Sequence, residues 1–333
     1  RVLVIDAGIF PDVASTKNAG FACFGSAGEL ISDLNNTDEE LVWQTVEMRW
    51  KGLQLLRKRI GDQNMHYLEL GGYELYYNKD QHEASLEKLN MLNAGMKKHL
   101  GLRSCYKNLS KNKLKFPACK GIIYNQYEGQ LDTGLMMQHL IRLAVLKGIE
   151  ILNNVSVIKI QETHAAAHIH TSIGDMTSDK IIVATNGFAS QLIKVPDVEP
   201  ARAQVLITKP IPGLHLKGTF HFDEGYYYFR NINNRVLFGG GRNLDFKTER
   251  TTDRHLNARI QQQLDLYLRE RILPDTKFEI EQRWTGIMGV GKEKKPIIRS
   301  VGQRTVAAVR MGGMGIAIGS WVGKKAASLI AQL

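Results

Sequence analysis

Cysteine is scarce in this 333-residue chain. Cys23, Cys105 and Cys119 are odd in number, widely spaced and form no CxxC pair. That argues against a disulfide framework or a zinc site and fits a reducing cytoplasm. No run of eighteen or more apolar residues occurs, so no membrane-spanning helix is expected. A secretory leader pattern, an internal repeat and a low-complexity linker are also missing. What is there is ordinary for a globular protein, 43% hydrophobic and 23% charged. The length suits two domains better than one core. Charge of one sign is in excess, with a net +11 and a pI near 9.4. The basic residues are scattered, and their densest cluster, Lys292 to Lys295, contains a glutamate. With no RNA-recognition, KH or zinc-finger signature beside it, this reads as a solvated surface and not as a nucleic-acid footprint.

Along the chain, Val2 to Ile5 in RVLVIDAG form an apolar run without alternation, which predicts a parallel strand covered on both faces. A loop of small residues follows. Thr37 and Glu40 make a capping box for a helix whose face carries Trp43, Val46, Trp50 and Leu53. MHYLELGGYELYYN predicts a hairpin turning at Gly71-Gly72, and Glu83 to Leu100 a second amphipathic helix closed by Gly101. Asp132 caps a helix reaching about Lys147. Gly148 stops it, and IEILNNVSVIKI reads as one strand, which together make half of a βαβ unit. A polar hairpin over THAAAHIHTSIGDMTSD comes next, and then a buried strand and glycine turn over KIIVATNGFAS. Residues 201–283 change character. AQVLITKPI, GYYYFRNINNRVLFGGGRN and KFEIEQRW are β-branched and aromatic strands interrupted by one helix, an α+β domain. The C-terminus returns to glycine-rich strand and helix.

Few stretches carry chemistry on their own. Asp6, at the end of the first strand, can accept hydrogen bonds from a ribose in a dinucleotide-binding fold, but no GxGxxG fingerprint accompanies it. GIMGVGKE has P-loop spacing, yet Glu293 stands where a magnesium-binding hydroxyl is needed and Pro296 where a helix should run. His164, His168 and His170 share a segment without a completing carboxylate or cysteine, so a solvated patch outweighs a metal site. ASTKNAGF, VATNGF and MGGMGIAIG are small-residue loops, each beside a predicted strand. Such loops let backbone amides approach a phosphate or a flat ring.

Taken in order, these stretches resemble the D-amino-acid oxidase and glycine/sarcosine oxidase superfamily of FAD-dependent oxidoreductases. RVLVIDAG is similar to the family's second strand with its ribose-binding acid, Asp6. The family's first strand and pyrophosphate-binding helix, about 30 residues, are then expected before it. ASTKNAGF resembles the loop against the flavin, which implies contacts from Ser15, Thr16, Asn18, Ala19 and Gly20. The helix and strand from Leu131 imply a Val155 backbone contact to adenine. VATNGFAS implies Thr185, Asn186 and Gly187 near the pyrophosphate. RWTGIMGVGKEKKPII, with Gly286, resembles the closing motif, and GGMGIAIG the loop over the pyrimidine end, implying Gly312, Gly313, Gly315 and Ile316.

The resemblance implies an α/β fold with a Rossmann-like FAD-binding domain on a mostly parallel sheet. An interleaved α+β substrate domain on a mainly antiparallel sheet would complete it. Residues 1–40, 121–202 and 284–333 fall to the first and 41–120 and 203–283 to the second. It further implies non-covalent FAD, since no cysteine stands at the attachment position. The implied activity is dehydrogenation of a C–N bond in a small amine or amino acid, with oxygen or another electron acceptor. The family's carboxylate-binding arginine is replaced by Met288, and its lysine and histidine fall on Leu237 and Gly241. Arg230 or Arg242 is then the expected relocated clamp, with Tyr228 in the pocket. Two alternatives are a flavin domain acting in tRNA modification, motivated by the +11 charge, and a non-catalytic binding protein on the same fold.

Overall fold

A computed structural model describes the chain except residues 111–113 and 115. The chain opens with β1 (Leu3–Ile5), a one-turn helix α1 (Ala14–Lys17), β2 (Phe21–Ala22), α2 (Ala27–Asn36) and α3 (Glu39–Ile60). Next come β3 (Gly72–Tyr76), α4 (Lys79–Leu100), β4 (Tyr106–Leu109), β5 (Gly121–Asn125), β6 (Gly129–Gln130) and α5 (Thr133–Leu146). Short strands follow: β7 (Glu150–Leu152), β8 (Val157–Glu162), β9 (Ala167–Thr171), β10 (Gly174–Ser178) and β11 (Ile181–Val183). The last third holds β12 (Glu199–Thr208), β13 (Thr219–Phe222), β14 (Tyr227–Ile232), β15 (Arg235–Gly240), α6 (Ala258–Tyr267) and β16 (Ile280–Val290). The chain then finishes with β17 (Ile297–Ser300), β18 (Thr305–Val309) and α7 (Gly315–Gln332).

The dominant element is a mixed eight-stranded sheet in the order β16-β12-β15-β14-β13-β3-β5-β4. Within it β3 and β13 are parallel and the other neighbours antiparallel. Side chains alternate between the two faces of a strand. Phe220, Phe222, Tyr227, Phe229 and Phe238 therefore share one face, buried with Ile260 and Leu264 of α6. Phe220 and Phe229 stack there at 4.9 Å. Burying each such ring is worth roughly 1.5–3 kcal/mol, which fixes the register and sends His221, Tyr228, Arg230 and Leu237 to the opposite face.

Four smaller sheets complete the described strands: β1-β7, β11-β18-β17, β10-β9-β8 and β2-β6. Among the described residues, parallel pairing outside the large sheet is confined to β1–β7 and β11–β18, so the mostly parallel flavin sheet expected from the resemblance is present as short pairs. The large sheet draws strands from both sets of residues distinguished above, since β5 and the second half of β16 belong to it. Helices α3 and α7 cross closely because Gly52 has no side chain, and a Cβ there would lie 2.2 Å from the Ala317 carbonyl oxygen.

Several local expectations change. Gly71-Gly72 does not turn a hairpin. Instead β3 pairs with β5 and β13, and Gly71, at φ +80°, bends the chain beneath the Tyr124 ring. The expected capping box does not form, and a simple cap one residue on replaces it. Asp38 caps α3, its Oδ1 accepting from Leu41 N at 3.0 Å, whereas Thr37 closes α2. The loop expected before that helix contains α1 and the start of α2. IEILNNVSVIKI is two strands in two sheets, broken at Asn154, where φ is +58°. β1 pairs in parallel with β7 as expected but is not covered on both faces: Val2, Leu3 and Val4 are 55%, 41% and 44% exposed. Asp132 caps α5 from Oδ1 to Leu135 N at 2.9 Å, and Gly101 closes α4 in the left-handed conformation. GIMGVGKE is largely strand β16, which excludes the P-loop geometry.

Candidate functional site

Between the small sheets and the polar face of the large one lies a cavity of about 2440 Å³. A single small-ligand pocket is usually ~300–1,000 Å³, so this space suits an extended molecule with a second one beside it.

Small-residue loops wall one side. Ser15, Asn18 and Ala19 reach it from α1 and the turn after it. That turn is tied down locally. Asn18 Nδ2 donates to the Ala14 carbonyl at 2.8 Å, and Gly20 N donates back to Asn18 Oδ1 at 2.9 Å. Trp284 Nε1 donates to the Lys17 carbonyl at 2.9 Å, pinning α1 to β16. Asn186, at φ +46°, accepts from Met311 N through Oδ1 at 3.1 Å, and Gly312 N reaches the Gly289 carbonyl at 2.9 Å. Two loops far apart in sequence thus form one wall. Gly286, Met288, Gly312, Gly313, Gly315, Ile316 and Thr185 all line it.

The glycines of this wall face open space. A Cβ added at Gly312 or Gly315 would meet nothing within 4 Å, and one at Gly313 only Met288 Sδ at 3.7 Å. Helix α7 begins here with no side-chain cap at Met314. Its first N–H groups are therefore available to a partially negative ligand atom, which the helix dipole favours. Asp6 and Val155 also line the cavity, side by side. Val155 N donates to the Asp6 carbonyl at 3.1 Å, and the Asp6 carboxylate accepts from Gly8 N at 2.8 Å. A flat ring over glycine backbone, an anionic centre and a carboxylate-bound hydroxyl are all accommodated, so the residues fit FAD.

Other expected contacts lie off the cavity. Thr16 Oγ1 donates to the Pro11 carbonyl at 2.5 Å, which stabilises the loop from behind. Gly187 packs on β16, where a Cβ would approach the Met288 carbonyl oxygen to 2.4 Å. Gly20, at φ +74°, leaves room for the Arg230 guanidinium and the Leu131 carbonyl. Arg230 is 3% exposed and is not a pocket residue. Its Nε donates to the Ala19 carbonyl and its Nη2 to the Leu131 carbonyl at 3.0 Å. Burial pulls its pKa down to about 10. It ties the small-residue loop to the large sheet and does not line the cavity, unlike the expected clamp.

Tyr228 and Arg242 do line the cavity. Gly239 lies opposite Tyr228, and a Cβ there would strike the ring at 2.7 Å, so glycine makes room for it. Burial pushes the Tyr228 phenol up to about 12, leaving it a neutral hydrogen-bonding group. Arg242 stands over the Phe246 ring at 4.7 Å and has no ion pair among the described residues. Met288 presents a thioether, which cannot clamp a carboxylate.

Sequence reasoning missed a second polar wall. Arg49 is buried on α3 and ion-pairs Glu29 at 3.2 Å, and Lys294 reaches the same carboxylate at 2.9 Å. Burial pushes the Glu29 carboxyl up, but the two cations outweigh it and hold it at about 2. Glu128 and His221 line the cavity, and Glu74 lies beside His221 across the sheet. Desolvation raises Glu74 to about 7 and Glu128 to about 8 and lowers His221 to about 4. The period-2 pattern of TFHF, with the histidine alternating against two phenylalanines, was the signal for His221. The histidines singled out instead lie on a hairpin, where His170 bonds Asp175 at 2.9 Å and Gln161 at 2.8 Å.

Comparison with known proteins bears on this geometry. The profile of the family described as FAD dependent oxidoreductase, DAO, matches residues 1–329. A probable oxidoreductase, OrdL, from Rhizobium meliloti is 26% identical over 210 residues, 60% of this chain. The chain spans about half the length of that relative, 47%. Glycine oxidase from Geobacillus kaustophilus superimposes with a TM-score of 0.78 at 20% identity, over 100% of this chain and 88% of that one. Iminodiacetate oxidase from Chelativorans sp. BNC1 gives 0.76 at 18% identity, over 100% and 95%. L-proline dehydrogenase from P. horikoshii gives 0.72 at 16%, over 100% and 93%. At these identities the structures speak for the fold.

Proposed function

This chain belongs to the family of FAD-dependent oxidoreductases, and from that premise we propose that it dehydrogenates a carbon–nitrogen bond of a small amino acid or amine. The observation that carries the reading is the meeting of two unlike walls in one cavity. Glycine loops and an uncapped helix N-terminus form one, and Tyr228 and Arg242 lie on the other. The names of the similar solved structures, oxidases and dehydrogenases of glycine, iminodiacetate and proline, support the same substrate class.

In this reading Asp6 and Val155 hold the adenosine end of the cofactor, and Thr185 and Asn186 the pyrophosphate. Ser15, Asn18 and Ala19 flank the ring system, with Gly286, Gly312, Gly313, Gly315 and Ile316 at its pyrimidine end. Residues 1–40, 121–202 and 284–333 then make the cofactor side, and 41–120 and 203–283 the substrate side. Bound FAD supplies the two-electron acceptor. The protein orients the substrate, excludes water from the reacting carbon and offers Arg242 to a carboxylate. Loss of two hydrogens from the C–N bond leaves an imine, which water hydrolyses to a carbonyl compound and an amine.

The test is anaerobic addition of glycine, N-methylglycine, L-proline and putrescine to the FAD-loaded chain, followed by visible absorbance. Bleaching by at least one amine is expected. Oxidised absorbance that persists with all four but vanishes with dithionite defeats the reading.

A further inference from the structure

Across the large sheet, register places Glu74 of β3 opposite His221 of β13, His221 opposite Tyr228 of β14, and Tyr228 opposite Gly239 of β15. Cross-strand partners lie on one face, and Tyr228 and His221 both line the cavity. His221 is only 8% exposed, and its Nδ1 is buried with no hydrogen-bond partner among the described residues. A buried, unpaired imidazole nitrogen has lost its hydrogen bond to water without replacement, so it calls for an explanation in a ligand.

The surroundings decide the kind of ligand. Glu74 faces His221 from β3, Tyr228 from β14 and Glu29 from α2, and the nearby cavity wall carries Glu128 and Arg49. Arg49 is already committed to Glu29 and to the Phe24 carbonyl. The Glu74 carboxylate accepts from Gly28 N at 2.9 Å. No group among the described residues donates to the imidazole. Burial keeps the ring neutral down to about pH 4, so it remains an acceptor and does not repel a cation.

Resting on the C–N oxidation reading, we propose that His221 receives the substrate's nitrogen, accepting a hydrogen bond from its N–H on the floor of the large sheet. The ligand class is a primary or secondary alkylamine or its ammonium form. Substrate choice then depends on the nitrogen as well as on any carboxylate, and no bond is made or broken at the imidazole.

The experiment compares full-length, FAD-loaded wild type with His221→Gln, which keeps an acceptor, and His221→Leu, which removes it. Glycine, N-methylglycine, L-proline and putrescine are the amine probes, and acetate is the control without nitrogen. Imidazole ¹⁵N shifts are recorded in histidine-labelled protein, with His221 assigned from the variants. An amine, and not acetate, should move the His221 resonance. His221→Leu should weaken amine binding about 10- to 100-fold, the cost of a hydrogen bond to a charged group. The limiting rate of flavin reduction should change less, and His221→Gln should recover most of the affinity. If an amine bleaches the flavin while the His221 signal stays still and His221→Leu keeps its KM, the inference falls and the oxidation reading survives. If no amine bleaches the flavin but one moves His221, the oxidation reading falls and amine recognition stands. If none moves it, amine recognition by His221 is overturned.

Discussion

Replacing Arg230 with methionine separates a structural tie from a substrate clamp. The guanidinium is buried and donates to the Ala19 and Leu131 carbonyls. Methionine roughly keeps the apolar stem and leaves both oxygens without these donors. Each stranded buried acceptor costs roughly 1–3 kcal/mol, so the variant should lose about 2–6 kcal/mol. At about 2.1 cal/mol/K per residue, 333 residues give an unfolding entropy near 0.7 kcal/mol/K, and Tm should fall by roughly 3–9 °C. Because Ala19 lines the cavity that the proposed function assigns to FAD, FAD affinity should fall as well. Scanning calorimetry of apo and FAD-loaded protein, with a flavin titration, measures both. An Arg230→Met protein with unchanged Tm and FAD affinity, but a large rise in KM for carboxylate-bearing amines alone, would refute the structural assignment and restore the clamp.

Three further outcomes are expected. The Glu128 carboxyl has its folded pKa raised by burial to about 8 from an ordinary 4.5, so its contribution to stability is complete below pH 4.5 and is lost as pH rises through 8. The slope is about 1.4 kcal/mol per pH unit. Glu128→Gln should match wild type in urea midpoint at pH 4.5 and exceed it at pH 8.5, and equal midpoints at both pH values contradict the burial argument. Gly315→Ala should leave the apo Tm unchanged or slightly raised, since its Cβ meets open space at a helix start. The same change should weaken FAD binding, and equilibrium dialysis showing unaltered affinity removes that glycine from the cofactor wall. Arg242→Gln should raise KM for glycine about 10-fold or more while sparing putrescine, because only one of them has a carboxylate for the guanidinium. Equal effects on both exclude Arg242 as the anion anchor.

Much of one cavity wall was legible in the chain. Asp6, the 15–20 loop, VATNGF and GGMGIAIG are local patterns of small residues, and such patterns survive without knowledge of their partners. Local signals failed where a competing partner lay far away. Gly71-Gly72 has hairpin chemistry, yet Leu75 pairs with Ile122 and Phe220 with Tyr73, because burying those rings and branched chains outweighs a tight turn. Arg230 looked available for a substrate because an arginine on a strand carries no mark of which side it serves.

Composition and periodicity alone determined the alternating aromatic strands, the capped helices α4 and α5 and the small-residue loops, because each depends on residues within a few positions of one another. Only the tertiary structure decided that His221 and Tyr228 share a face, that Arg230 donates to two backbone carbonyls and that Arg49, Glu29 and Lys294 meet. Those facts depend on strand register and on contacts as much as 265 residues apart, where burial outranks local preference.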